Sequence, residues 1–134
     1  MLYKAGEWTS FKTEDGLLDN EIGEIAIDTN GNIWAVSDTG INRFNGSSWW
    51  TSTYEEDDMF GGKVFQLRTS PDGRVWFATK NGINWFNGKS WHGVTEKDGL
   101  PDGYILSILV TSEEKVWLGA MNSGVGFSPV SILE

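Results

Sequence analysis

The side chains able to do chemistry in this chain are acidic and amide groups that return in short, turn-rich stretches. They are Asp15, Asp19 and Asn20 in residues 13–21, Asp58 in 55–63, and Asp98, Asp102 and Tyr104 in 96–104. A second series holds Asp38 in 37–40, Lys80 and Asn81 in 79–82, and Met121 and Asn122 in 120–124. Carboxylates and amides beside an aromatic ring can hydrogen-bond to a sugar and stack on it. The competing reading is that each residue only shapes its own turn.

Acid–base or nucleophilic catalysis is poorly provided for. His92 is the one histidine of the chain, and no nucleophile or carboxylate stands at a recognisable spacing from it. It reads as a surface residue. Asp28-Thr29-Asn30-Gly31 has the beginning of a calcium loop without its further oxygen ligands or closing glutamate, and reads as a hairpin turn. The run Glu55-Glu56-Asp57-Asp58 reads as a solvated loop rather than a cation site. Without cysteine there is neither a thiolate metal site nor a disulfide. No cofactor, metal or enzymatic activity is expected. Ten basic against nineteen acidic residues give a net charge of -9, which argues against a nucleic-acid partner. No apolar run approaches the ~20 residues of a membrane span, and the N-terminus lacks the basic and apolar regions of a signal peptide.

The elements that must position these residues are read from an internal repeat. Gly31-Asn32-Ile33-Trp34 and Gly40-Ile41-Asn42 return as Gly73-Arg74-Val75-Trp76 and Gly82-Ile83-Asn84, each 42 residues on. Trp117 and Gly124 mark a weaker third copy. Each period holds an apolar run (Ile22 to Ile27, Val64 to Leu67, Ile105 to Val110) and then a tryptophan strand (32–37, 74–79, 115–120). Next come a strand from Gly40 to Phe44 or from Gly82 to Phe86, and an outer strand around Trp49 or Trp91. Asn-Gly and Asp-Gly pairs between them supply the positive φ of hairpin turns.

Four short strands in every ~40–45 residues, with no capped helical periodicity, predict an all-β β-propeller of three four-stranded blades per chain. The repeats run roughly 3–44, 45–86 and 87–128. A plain β-sandwich has no need of the same tryptophan in every period. Trp34, Trp76 and Trp117 are therefore expected in the core between blades, and the middle strands are expected to be buried on both faces.

Three segments carry a resemblance to a known family. They are Asp28 to Trp34 with Gly40 to Phe44, Ser70 to Thr79 with Gly82 to Phe86, and Gly99 to Ile108 leading on to Val116-Trp117-Leu118-Gly119. Together they resemble the two-component regulator propeller repeat over nearly the whole chain. The resemblance implies a bacterial sensor ectodomain, periplasmic or extracellular, of a kind that in some gut bacteria senses carbohydrate fragments. Streptogramin lyases have a similar strand pattern, but their chemistry uses a histidine with acidic and metal partners, which a lone His92 does not match. The third copy departs from the family pattern. Glu114 replaces the turn glycine, and Ser128-Pro129 stands where the Asn-Gly turn would be. Proline has no N–H to donate, so regular pairing is expected to stop there.

The sequence thus points to a non-enzymatic module that binds a ligand, with carbohydrate the first candidate. Rival readings are a structural self-assembling propeller and a piece of a longer propeller. Three blades fall short of the about four to eight of a closed ring. The chain opens with an outer strand around Trp8 and ends on a third strand near Phe127. A homodimer of six blades, in which the Trp8 strand of one copy completes the last blade of the other, answers both observations.

Overall fold

The computed structural model describes residues 1–54, 62–100, 103–111, 115–122 and 124–129, with residues 127–129 described by backbone alone. Asp58, Asp102, the 55–58 acidic run and the turn around Glu114 lie outside the described residues. Helical structure among the described residues is confined to two single 3-10 turns, Thr13–Asp15 and Glu96–Asp98. The rest of the regular structure is antiparallel β.

Two four-stranded meanders form the first blades. The first is β3 (Glu24–Ile27), β4 (Ile33–Val36), β5 (Gly40–Phe44) and β6 (Trp49–Thr53). The second is β7 (Val64–Thr69), β8 (Val75–Thr79), β9 (Gly82–Phe86) and β10 (Trp91–Val94). A three-stranded sheet follows, made of β11 (Ile105–Val110), β12 (Lys115–Ala120) and β13 (Gly124–Pro129). The first strands β3, β7 and β11 lie side by side, at the inner ends of the blades.

Hairpin chemistry explains the strand ends. Asp28 Oδ1 accepts the backbone N–H of Asn30 (2.8 Å) and of Asn32 (3.0 Å), and Gly31 takes φ +82° to close the turn. Asp28 Oδ2 accepts Asn32 Nδ2 at 3.0 Å and Trp34 Nε1 at 2.9 Å. The carboxylate is thereby fully used, as a turn residue and not as a calcium ligand. Burial alone would raise its pKa, but these hydrogen bonds outweigh burial and hold it below the ordinary value. In the second blade Ser70 Oγ takes the place of Asp28 and accepts Trp76 Nε1 at 3.0 Å.

The repeated Gly-Ile-Asn motif has an equally local cause. A Cβ on Gly40 would lie 2.2 Å from the Ser52 carbonyl oxygen, so the strand admits no side chain there. Asn42 is fully buried; its Nδ2 donates to the Ala35 carbonyl (3.1 Å) and its Oδ1 accepts Leu18 N–H (2.9 Å). It thereby pins the incoming loop to the blade.

The core lies between blades. Trp34, Val36 and Ile41 of the first blade meet Val64, Leu67, Val75, Phe77 and Phe86 of the second. The next layer repeats the pattern, with Trp76, Ala78, Ile83 and Trp85 against Ile105, Ile108, Val116 and Leu118. Burying an indole removes roughly 150–250 Å² from water, worth about 4–6 kcal/mol gross at ~25 cal/mol per Å².

Three expectations are corrected. Trp34 and Trp76 are fully buried, but Trp117 is 37% exposed. No later blade covers it among the described residues, and Thr111 Oγ1, six residues before Trp117, is buried with no partner among them. β8 is buried along its whole length because a blade covers each of its faces, whereas β3, with no preceding blade among the described residues, alternates. Regular pairing in the third blade runs to Ser128-Pro129, the place at which it is expected to stop. Lys115 pairs with Pro129, the last residue of an edge strand, where a missing N–H is tolerated. Finally, the N-terminus supplies a hairpin and not a single outer strand. β1 (Leu2–Lys4) pairs with β2 (Glu7–Thr9), with Tyr3 opposite Trp8 as Phe44 is opposite Trp49 and Phe86 opposite Trp91.

Candidate functional site

The loops bearing the candidate residues do meet at one end of the blades. Thr39 Oγ1 donates to Asp19 Oδ2 at 3.1 Å, Lys80 N–H to the Lys63 carbonyl at 3.0 Å, and Met121 N–H to the Tyr104 carbonyl at 3.0 Å. Each contact joins a loop between blades to the turn between two middle strands.

Within this end, several candidates build their own turns. Asp15 Oδ2 accepts Lys12 N–H (2.8 Å), Asp98 Oδ2 accepts Thr95 N–H (3.0 Å), and Asn20 Oδ1 accepts Thr13 N–H (2.9 Å). Asn81 N–H donates to Thr79 Oγ1 at 3.2 Å. Asp19 is held below the usual carboxylate range, first by Glu21 N–H and then by the Thr39 hydroxyl. Lys80, Met121 and Asn122 are exposed at the rim.

The structure brings Asp38 into a different company. It forms an ion pair with Lys63 at 2.8 Å, at the mouth of a cleft of about 410 Å³ between the first two blades. Glu21, Glu24 and Phe65 also line this cleft. Glu24 reaches Arg68 of the second blade at 3.2 Å, which ties the two inner strands together. Phe65 sits at a β-bulge in β7, where the register shifts between Val64 and Gln66. A bulge turns a side chain away from the regular alternation. The Phe65 ring lies 5.5 Å from that of Tyr104, at 32°. Tyr54 fixes the Asp38 turn by donating its hydroxyl to the Ser37 carbonyl (3.0 Å), and burial pushes that hydroxyl up to about 12.

Lys63, Phe65, Glu21 and Glu24 are absent from the residues singled out by sequence. A signal for Phe65 exists in the repeat. Gly23, Phe65 and Leu106 occupy one equivalent position, and Leu106 sits at the matching bulge of β11 and is 43% exposed. An apolar residue that breaks the pattern at the same place in two copies marks a ring aimed out of the core.

The cleft offers charges of both signs, backbone polar groups and one aromatic ring, that of Phe65. His92 is remote from it, on the outer strand β10, with its ring stacked 5.3 Å from that of Trp85. No group of three or more metal-ligating side chains occurs among the described residues. No helix of the described residues is long and apolar enough to cross a membrane.

No family model matches the chain, and no curated protein does. Solved structures do match. The extracellular domain of a hybrid two-component system from B. thetaiotaomicron superposes with TM-score 0.78 at 22% identity, over 92% of this chain and 18% of that one. The extracellular domain of a one-component system from the same organism gives TM-score 0.74 at 20% identity, over 94% of this chain and 17% of that one. Streptogramin B lyase is similar at TM-score 0.59 and 14% identity, over 96% of this chain and 46% of that one. The chain thus spans under a fifth of the length of the two extracellular domains. Its blades have the fold of the propellers in two-component sensor ectodomains, the architecture that its tryptophan repeat resembles.

Proposed function

We propose that this chain is a non-enzymatic, ligand-binding propeller module of a periplasmic or extracellular sensor, and that it binds a soluble oligosaccharide in the cleft at Asp38. One observation carries the reading. Phe65 lines the cleft with Asp38, Lys63 and Glu24, and its ring lies 5.5 Å from that of Tyr104, so the cleft holds both a stacking surface and hydrogen-bonding groups. Asp58 and Asp102 belong to the same loops in sequence and are proposed as rim residues. The likeness to sensor ectodomains supports the sensing role at the level of fold.

Calorimetry with oligosaccharides drawn from a glycan array tests the proposal. Phe65→Ala and Asp38→Ala should each weaken binding at least tenfold while leaving the thermal melt within a few degrees. Unchanged affinity in both variants would remove the site from the cleft. Substrate turnover by pure protein that disappears in His92→Ala would overturn the non-enzymatic reading.

The assembly proposed with it is a two-copy ring of six blades. Ile25, Leu67 and Ile108 are equivalent positions, opposite Ala35, Phe77 and Leu118. Leu67 and Ile108 are 1% and 3% exposed against the preceding blade, whereas Ile25 is 68% exposed. Likewise Ile41 and Ile83 are 0% and 1% exposed against the following blade, whereas the equivalent Val125 is 74% exposed. The two open faces are the two halves of the interface already formed twice within the chain, and a second copy supplies each missing half.

A further inference from the structure

At the opposite end of the blades lies a second cleft, of about 270 Å³, bounded by the turns β3–β4, β5–β6 and β9–β10. Its distinguishing member is Arg43. The guanidinium lies 5.2 Å from the ring centre of Trp34, 5.2 Å from that of Trp50 and 5.7 Å from that of Phe86.

The second blade shows what this arrangement replaces. Arg43 faces Trp34 across the strands as Trp85 faces Trp76, and Trp50 holds the place of His92. There the layers are Trp76, Trp85 and His92, with ring centres 4.9 Å and 5.3 Å apart. A flat group in the middle layer is what the stack requires, and an indole satisfies it without charge. The cation at position 43 is therefore additional to the packing. A guanidinium stacked by its faces keeps its in-plane N–H donors free to bind outward.

The surroundings match a negative ligand. Arg43 has no ion-pair partner among the described residues. The lining carries no aspartate or glutamate, in a chain whose net charge is -9. Asn45 Oδ1 is taken by Ser47 N–H and Ser48 N–H, both at 2.9 Å, so its remaining polar group is a donor. Trp49 also lines the cleft, and its buried Nε1 has no acceptor. An amide donor and an indole N–H thus stand near a guanidinium that has no ion pair among the described residues. Trp50, 37% exposed, gives the same cleft an apolar face.

We infer that this cleft is a carboxylate-binding subsite, with Arg43 the bidentate anchor and Trp50 the platform for the ring of a sugar acid. It is separate from the cleft at Asp38 and does not depend on the proposal made for that cleft.

Titration of the full chain with glucuronate, followed by intrinsic tryptophan fluorescence, tests the inference, with glucose as the neutral control and acetate as the bare carboxylate. Saturable binding of glucuronate that weakens as salt is raised is expected, with no saturation by glucose. Arg43→Trp restores the uncharged stack seen in the second blade and should lower affinity at least tenfold with little change in melting temperature. Arg43→Lys keeps charge but not the fork, so an intermediate loss is expected. Acetate binding as tightly as glucuronate would support the anion site and assign it to the carboxylate alone. Equal response to glucose and glucuronate would overturn the inference, as would undiminished glucuronate binding by a folded Arg43→Trp or Arg43→Lys variant.

Discussion

Trp76 and Trp117 occupy one position of the repeat in two different surroundings, which makes them a matched pair for measuring what a blade interface contributes. Trp76 is fully buried, stacks on Trp85 with ring centres 4.9 Å apart, and donates Nε1–H to Ser70 Oγ at 3.0 Å. Replacing it by alanine empties a packed site, a cost of about 3–5 kcal/mol. Domains of this size hold only ~5–15 kcal/mol in total, so the variant should lose about a fifth or more of its stability. Trp117 is 37% exposed, and Trp117→Ala should cost only about 1–2 kcal/mol when the chain is dilute. The assay is urea unfolding followed by circular dichroism, since eight tryptophans make fluorescence hard to assign. At protein concentrations that favour association the Trp117 loss should grow toward that of Trp76, because the open face becomes an interface. A Trp76→Ala loss below about 1 kcal/mol would refute the interblade core. A Trp117 loss equal to that of Trp76 at every dilution would refute the claim that the third face is open.

Further outcomes follow from the same geometry. Ile25→Asp or Val125→Asp should abolish self-association in light scattering on a sizing column, and deletion of residues 1–12 should weaken it; a 14.9 kDa mass for the unaltered chain at every concentration would refute the two-copy ring. Asp28 has a folded pKa below its ordinary value, so its contribution to stability is present above the unfolded value of about 3.9 and is lost as pH falls through the folded value. Melts of the wild type and Asp28→Asn should therefore differ most near neutral pH and converge in acid; a gap that widens below about pH 4 would contradict the sign.

Much of the architecture was legible in the sequence because a few residues at each turn have one physical use. Gly40 admits no side chain, Asn42 ties a loop to its blade, and Asp28 or Ser70 holds an indole N–H. Such residues recur because the same local problem recurs. The exposure of Trp117 was not legible, since burial in a stack is decided by the next blade and not by the tryptophan's own strand. The β1–β2 hairpin was half legible: Trp8 stands out, but Leu2–Lys4 is a three-residue strand whose partner register only the fold reveals. For the candidate site, the sequence draws the eye to turn residues, and the cleft at Asp38 is lined mostly by others. Turn-forming carboxylates such as Asp15 and Asp98 look like binding groups in a sequence, and one oxygen of each, Oδ2, is spent on an N–H donor of its own turn. Lys63 lies in the 55–63 loop without standing out there, and Phe65 looked like part of a strand.

A repeat constrains whatever the stacking of blades needs, so departures between equivalent positions show where stacking makes no demand. Tryptophan at 34 and 76, and isoleucine at 41 and 83, are identical in the first two copies because both meet the next blade. Glycine at 23, phenylalanine at 65 and leucine at 106 differ because the bulge turns them from the interface. Arginine at 43 and tryptophan at 85 differ although both are layered between rings, so the change lies in charge and donors rather than in shape. Both clefts are built around such departures, one at Phe65 and the other at Arg43, at opposite ends of the same pair of blades. Mutations at conforming positions should therefore change stability first. Those at departing positions should change binding at nearly constant stability, and that separation distinguishes a ligand-binding propeller from one that only assembles.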